Sequence, residues 1–120
     1  MRKTERVAFT TTAGETATVY SSPFVGRLAG IYADKGDTAA TTDIVITSGV
    51  ENAAILTITN LAANAWYFPT GAACDSAGTA RLYAAAGQAV PVPLPVHGAF
   101  KVVVAQGGVT KTGYITFYVD

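Results

Sequence analysis

The sequence predicts an all-β fold, a single β-sandwich with jelly-roll-like connections and roughly eight to ten short strands. Three observations predict it. Val, Ile, Thr, Tyr and Phe recur in short alternating runs, which puts one set of side chains on each face of a pleated strand. Clusters of Gly, Asp, Asn and Ser separate these runs at intervals of about ten residues, the turn spacing of sandwiches and barrels. No stretch has the period of an amphipathic helix, and the alanine-rich pieces 62–65 and 84–86 are too short for more than one helical turn, so both are assigned to loops.

Taken along the chain, residues 1–25 form an N-terminal arm or the first strands, with Val7 and Phe9 set among threonines. Residues 26–120 form the sandwich, and the whole is one domain. Residues 26–33 read as a strand ended by the tight turn Asp34-Lys35-Gly36-Asp37, after which TAATT reads as flexible. Ile44 and Ile46 share one strand face, and Leu56 and Ile58 another, with SGVEN connecting them. Residues 66–68 and 81–83 flank a shorter, irregular hairpin reversed around Asp75, Ser76 and Gly78.

The run Val90-Pro91-Val92-Pro93-Leu94-Pro95-Val96 has a geometric consequence. In an extended strand alternate residues offer their backbone groups to the same edge, so the prolines remove donors from one edge only. The expectation is one protected edge strand whose Val and Leu residues pair with a neighbour and fill the core, with a polyproline-like connection as the alternative. Phe100, Val102 and Val104 then alternate with Lys101, Val103 and Ala105, and Ile115, Phe117 and Val119 with Tyr114, Thr116 and Tyr118. The glycines of QGGVTK between them predict a hairpin.

Composition restricts function. Half the residues are hydrophobic and 13% are charged, against about a quarter in ordinary globular chains, so much of the surface is neutral. Eight basic and eight acidic side chains cancel, which argues against electrostatic capture of nucleic acid or of an anionic membrane. One cysteine forms no intramolecular disulfide, consistent with folding in a reducing cytoplasm. Glu5 and Arg6 interrupt the N-terminal segment where a signal peptide needs an apolar stretch, and no apolar run reaches bilayer-spanning length, so neither secretion nor membrane insertion is expected.

Candidate chemistry is sparse. His97, in a Val-His-Gly turn, has no acid partner nearby in sequence, and Cys74 has no Cys and His arrangement around it, so no catalytic residue and no small-molecule substrate are assigned. One Cys and one His fall short of a zinc site. Asp34, Asp37 and Asp43 around a glycine turn are the least implausible metal ligands, for calcium, but solvated turn carboxylates account for them and no metal is assigned. The glycines lack phosphate-loop spacing, and no cofactor is expected. Trp66, Tyr67 and Phe68 stand together, and because neighbouring strand residues alternate faces at least one must turn inward; core filling is the preferred account of the trio. Tyr114 and Tyr118 form an aromatic pair on one face of the last strand. Tyr114, Tyr118, Trp66 and Tyr67 are therefore the candidate interface residues.

The segments GRLAGIYADKGDTAATTDIVIT, NLAANAWYFPTGAACDSAG and PLPVHGAFKVVVAQGG carry a G-R-L strand, a T-D step into alternating hydrophobics, an aromatic-Pro step and a PLPV segment leading to K-V-V-V-A. In that order they resemble small structural proteins of tailed bacteriophages, found among head-morphogenesis products, and the resemblance runs from about Gly26 to the last residue. It implies a virion structural protein with no enzymatic activity. The role favoured within that family is capsid decoration or cement, with the major capsid protein and copies of itself, as a trimer, for partners on the capsid exterior. The alternatives are a head-fibre or tail-fibre module that touches a receptor or glycan through the Trp66 region, and a neck or tail connector.

Overall fold

A computed structural model of the chain describes residues 3–49, 51–72, 74, 76–80, 82, 87, 88 and 90–120. The fold is all-β, and the described residues contain no helix. The strands are β1 (Lys3–Thr10), β2 (Ala17–Tyr20), β3 (Phe24–Asp34), β4 (Asp43–Ser48), β5 (Ala54–Ile58), β6 (Ala65–Tyr67), β7 (Thr70–Ala72), β8 (Pro91–Pro93), β9 (Pro95–Gly98), β10 (Phe100–Ala105) and β11 (Thr112–Val119).

Two antiparallel sheets make the sandwich. One has the order β1-β11-β3-β6, with β9 also pairing β3, and the other has the order β2-β10-β4-β5. With β9 set aside, of the connections among the eight strands of these two orders only β4 to β5 stays within a sheet, as a hairpin; the others cross between sheets. That interleaving, with the first and last strands paired, is a jelly-roll-like order. Strands β7 and β8 pair with each other as a small separate ribbon.

Alternation determines what fills the space between the sheets. Phe9, Leu28, Ile31, Ile115, Phe117 and Val119 point inward from the first sheet, and Ile44, Ile46, Ile58, Phe100, Val102 and Val104 from the second. Each such side chain contributes about 1.5–3 kcal/mol by leaving water. Phe100 and Phe117 meet across the sandwich with parallel rings 4.3 Å apart, and Phe24 packs on Phe100 at 5.9 Å.

Several expectations require correction. The Phe100–Ala105 and Thr112–Val119 runs are not a hairpin: β10 pairs β2 and β4, whereas β11 pairs β1 and β3. Both runs present a wholly aliphatic or aromatic face, and here the two faces cover each other across the core, with Phe100 on Phe117, in place of sharing one sheet. A glycine-containing loop serves either arrangement.

The proline run is also not one strand. It divides at Leu94 into β8, which pairs β7, and β9, which pairs β3. The periodicity still operates: the Leu94 carbonyl accepts from the Leu28 N–H at 2.9 Å and Val96 lies opposite Gly26, so non-proline residues face β3.

TAATT is ordered, because Thr38 and Thr42 are buried with their hydroxyls donating to the Lys35 and Ala39 carbonyls. Lys3–Thr10 is a strand, paired along its whole length with β11. The strand expected at 81–83 and the loop assigned at 84–86 fall on Arg81, Tyr83 and Ala84 to Ala86, which lie outside the described residues, as does Asp75. Cys74 forms an isolated bridge with Ala80.

Candidate interaction face

The same alternation that sends Ile115, Phe117 and Val119 inward sends Tyr114, Thr116 and Tyr118 to the outer face of the β1-β11-β3-β6 sheet. Strand register then brings side chains distant in sequence into one row. Arg6 lies opposite Thr116, Thr116 opposite Tyr32, and Tyr32 opposite Trp66, so one line of residues crosses four strands.

Trp66 is the centre of the aromatic contacts. Its ring lies 4.8 Å from Tyr32, 5.3 Å from Tyr118 and 6.2 Å from Phe68, to which it is parallel within 6°. Tilted and offset rings at these distances attract through their quadrupoles. Gly30 supports the arrangement, since a Cβ there would meet the Phe68 ring at 3.2 Å. Further along the sheet the Arg6 guanidinium sits 3.7 Å over the Tyr114 ring, a cation–π contact at the exposed margin. Trp66 remains 52% exposed and Phe68 67% exposed, so large apolar rings face solvent although they touch one another.

Three of the four candidate interface residues, Tyr114, Tyr118 and Trp66, therefore share this outer sheet face, with Trp66 and Tyr118 in direct ring contact. Tyr67 does not join them. It is one residue out of phase with Trp66, turns inward and packs against the core. The core-filling account of the aromatic trio thus holds for Tyr67 and fails for Trp66 and Phe68. Tyr32 and Phe68 were missed. Phe68 is two residues from Trp66, and Tyr32 alternates with inward Ile31 and Ala33, so period two was the available signal for both.

The remaining candidates lie elsewhere. His97 is in strand β9 opposite Val25 and is exposed, not in a turn. Cys74 is exposed. Asp34, Asp37 and Asp43 form no shared cluster among the described residues; each accepts from a different backbone N–H, of Gly36, Thr112 and Asn60 respectively. The Thr112 N–H holds the Asp37 carboxyl below its ordinary value, with Lys111 adding attraction. The Glu51 carboxyl is also lowered, first by the Ser48 hydroxyl it accepts from and then by its own backbone N–H, with a smaller contribution from His97.

No protein-family model and no curated protein matches the sequence. Among solved structures, the chain is similar to the virus-like particle of the extra small virus of the giant freshwater prawn Macrobrachium rosenbergii. The TM-score is 0.34 at 13% identity, over 98% of this chain and 77% of that chain. Overlap of that degree is too low to transfer function from that protein to this one.

Proposed function

We propose that this chain is a non-enzymatic structural protein of a virus particle, and in finer terms a capsid decoration protein of a tailed bacteriophage that holds the major capsid protein and its own copies. The observation that carries the reading is the outer aromatic face, where Tyr32, Trp66, Phe68, Tyr114 and Tyr118 share one sheet with Arg6. Tyr, Trp and Arg are the residues that dominate protein interfaces, because they combine large apolar area with a polar handle and little rotamer entropy. A rigid antiparallel sheet presents them without further ordering cost.

Two features support assembly in particular. A formal net charge of zero removes the self-repulsion that keeps copies apart. Repetition over a shell turns interfaces of about 1,200–2,000 Å² into durable attachment through multivalency. Closed trimeric symmetry on the capsid exterior is the arrangement we favour, since it covers the apolar face of every copy.

One observation favours a second reading, a fibre module that binds glycans: Trp66 and Phe68 present parallel, exposed rings on which a sugar ring can stack. Mass spectrometry and cryo-electron microscopy of purified virions separate the two. Decoration requires a copy number comparable with that of the major capsid protein and density on the shell contacting the Trp66 face. A few copies at a fibre, neck or tail support the alternatives, and absence from the particle overturns the structural reading altogether.

A further inference from the structure

The sandwich is closed unevenly along its sides. In the first sheet β1 carries Lys3, Glu5 and Arg6, β6 at the other end is three residues long, and β9 begins at Pro95 behind prolines at 91 and 93; charge, shortness and proline all discourage strand addition. At the end of the second sheet, β2 lies beside β1. Strand β5, at the other end of that sheet, is different. Its sequence AILTI has neither proline nor charge, and among the described residues its only strand partner is β4.

At the start of β5, by its turn from β4, lies a cleft of about 370 Å³. Its walls include Ile55 of β5, Leu94 and Val96 of the β8–β9 segment, Phe100 at the start of β10, and Leu28 from β3. The Gly49 N–H donates to the Ala99 carbonyl at 2.8 Å and ties the β4–β5 turn to the β9–β10 link near these walls. Exposed Glu51 and His97 border the cleft.

We propose that this open side is a strand-addition site for an extended segment of a partner protein. The segment pairs with the free edge of β5, seats alternate apolar side chains in the cleft, and sets a basic residue beside Glu51. The backbone supplies the affinity and the cleft the selectivity, as in other cases where a peptide completes a sheet. Extending the second sheet by one strand directs every other side chain of the newcomer into the gap between the sheets, which is where the cleft lies. The volume falls in the lower part of the range of ligand pockets, about 300–1,000 Å³, and suits a few aliphatic side chains better than a large ligand. The ionised carboxylate at the border fixes the polarity of the terminal residue. This site is separate from the aromatic face, so the two stand or fall independently.

Hydrogen exchange and amide NMR on the full chain test the site, with a short synthetic peptide of alternating valine and threonine ending in lysine as the probe. Saturable binding is expected, with shifts at Ala54–Ile58 and His97 and exchange at the β5 amides slowed about tenfold or more. A peptide with proline at alternate positions is expected to lose binding, and a glutamate-ended peptide or Glu51→Gln to weaken it about two- to fivefold, the range of an exposed ion pair. Unchanged β5 exchange at millimolar peptide overturns the proposal. Equal binding of the proline peptide overturns strand pairing, and an unchanged affinity in Glu51→Gln overturns the basic residue. Concentration-dependent protection of β5 without peptide identifies a second copy as the occupant and overturns the partner segment.

Discussion

Two parallel aromatic pairs lie on opposite sides of one sheet. Phe100 and Phe117 stack at 4.3 Å between the sheets with no solvent contact of note, whereas Trp66 and Phe68 lie parallel at 6.2 Å on the outer face with more than half their surface exposed. The ring geometry is similar and the surroundings are not. Inside, each ring is covered on all sides and its burial stabilises the fold. Outside, the rings hold one another in place while their hydrophobic surface stays available. The comparison shows how one sheet separates rings that fill the core from rings left accessible by the parity of its residues.

The largest expected effect is on the inner pair. Phe117→Ala should destabilise the chain by about 3–5 kcal/mol in urea unfolding, and a loss below about 1 kcal/mol would remove the contrast between the pairs. Next comes the support of the inner pair. Ser21 is buried, and its Oγ accepts from the Phe100 N–H at 2.9 Å. Ser21→Ala leaves that donor unpaired and should cost about 1–3 kcal/mol by the same measurement.

Trp66→Ala sharpens the comparison from the other side. It should cost the isolated chain only about 0.5–1.5 kcal/mol, the range of an exposed aromatic contact, yet reduce attachment to virions lacking this protein by tenfold or more, read by sedimentation of particles with added chain. A variant that unfolds before it loses attachment would make Trp66 a core residue in function.

The smallest effect lies away from both pairs. The Asp37 carboxyl is lowered in the folded chain, so its contribution is present above the ordinary carboxylate range and is lost as pH falls through the lowered value, below about pH 4. Asp37→Asn should flatten the stability profile in that acid window and leave its slope at neutral pH unchanged, as chemical denaturation across pH will show.

Legibility differed between regions for a physical reason. Inward residues such as Ile44, Ile46, Phe117 and Val119 were readable because a strand exposes its burial through alternation. The outer face was only half readable. Tyr114 and Tyr118 declare their shared side by spacing, but Trp66-Tyr67-Phe68 has no aliphatic alternation to set its phase, so Tyr67 was grouped with Trp66. The hydrogen bonds of Asp37 and Asp43 were not readable, since their backbone partners Thr112 and Asn60 lie far along the chain.

From sequence alone follow the all-β class, the identity of most core residues, the neutral surface and the one-sided proline run, because each depends on local period or on composition. Tertiary structure alone decided that β10 and β11 face each other instead of pairing, that the proline run serves two partners, and that Tyr32, Trp66 and Tyr118 meet from three strands. Those outcomes depend on strand register and on which apolar faces cover one another. Both are properties of residues far apart in the chain, and a period of two, however clear, names a face without naming its neighbour.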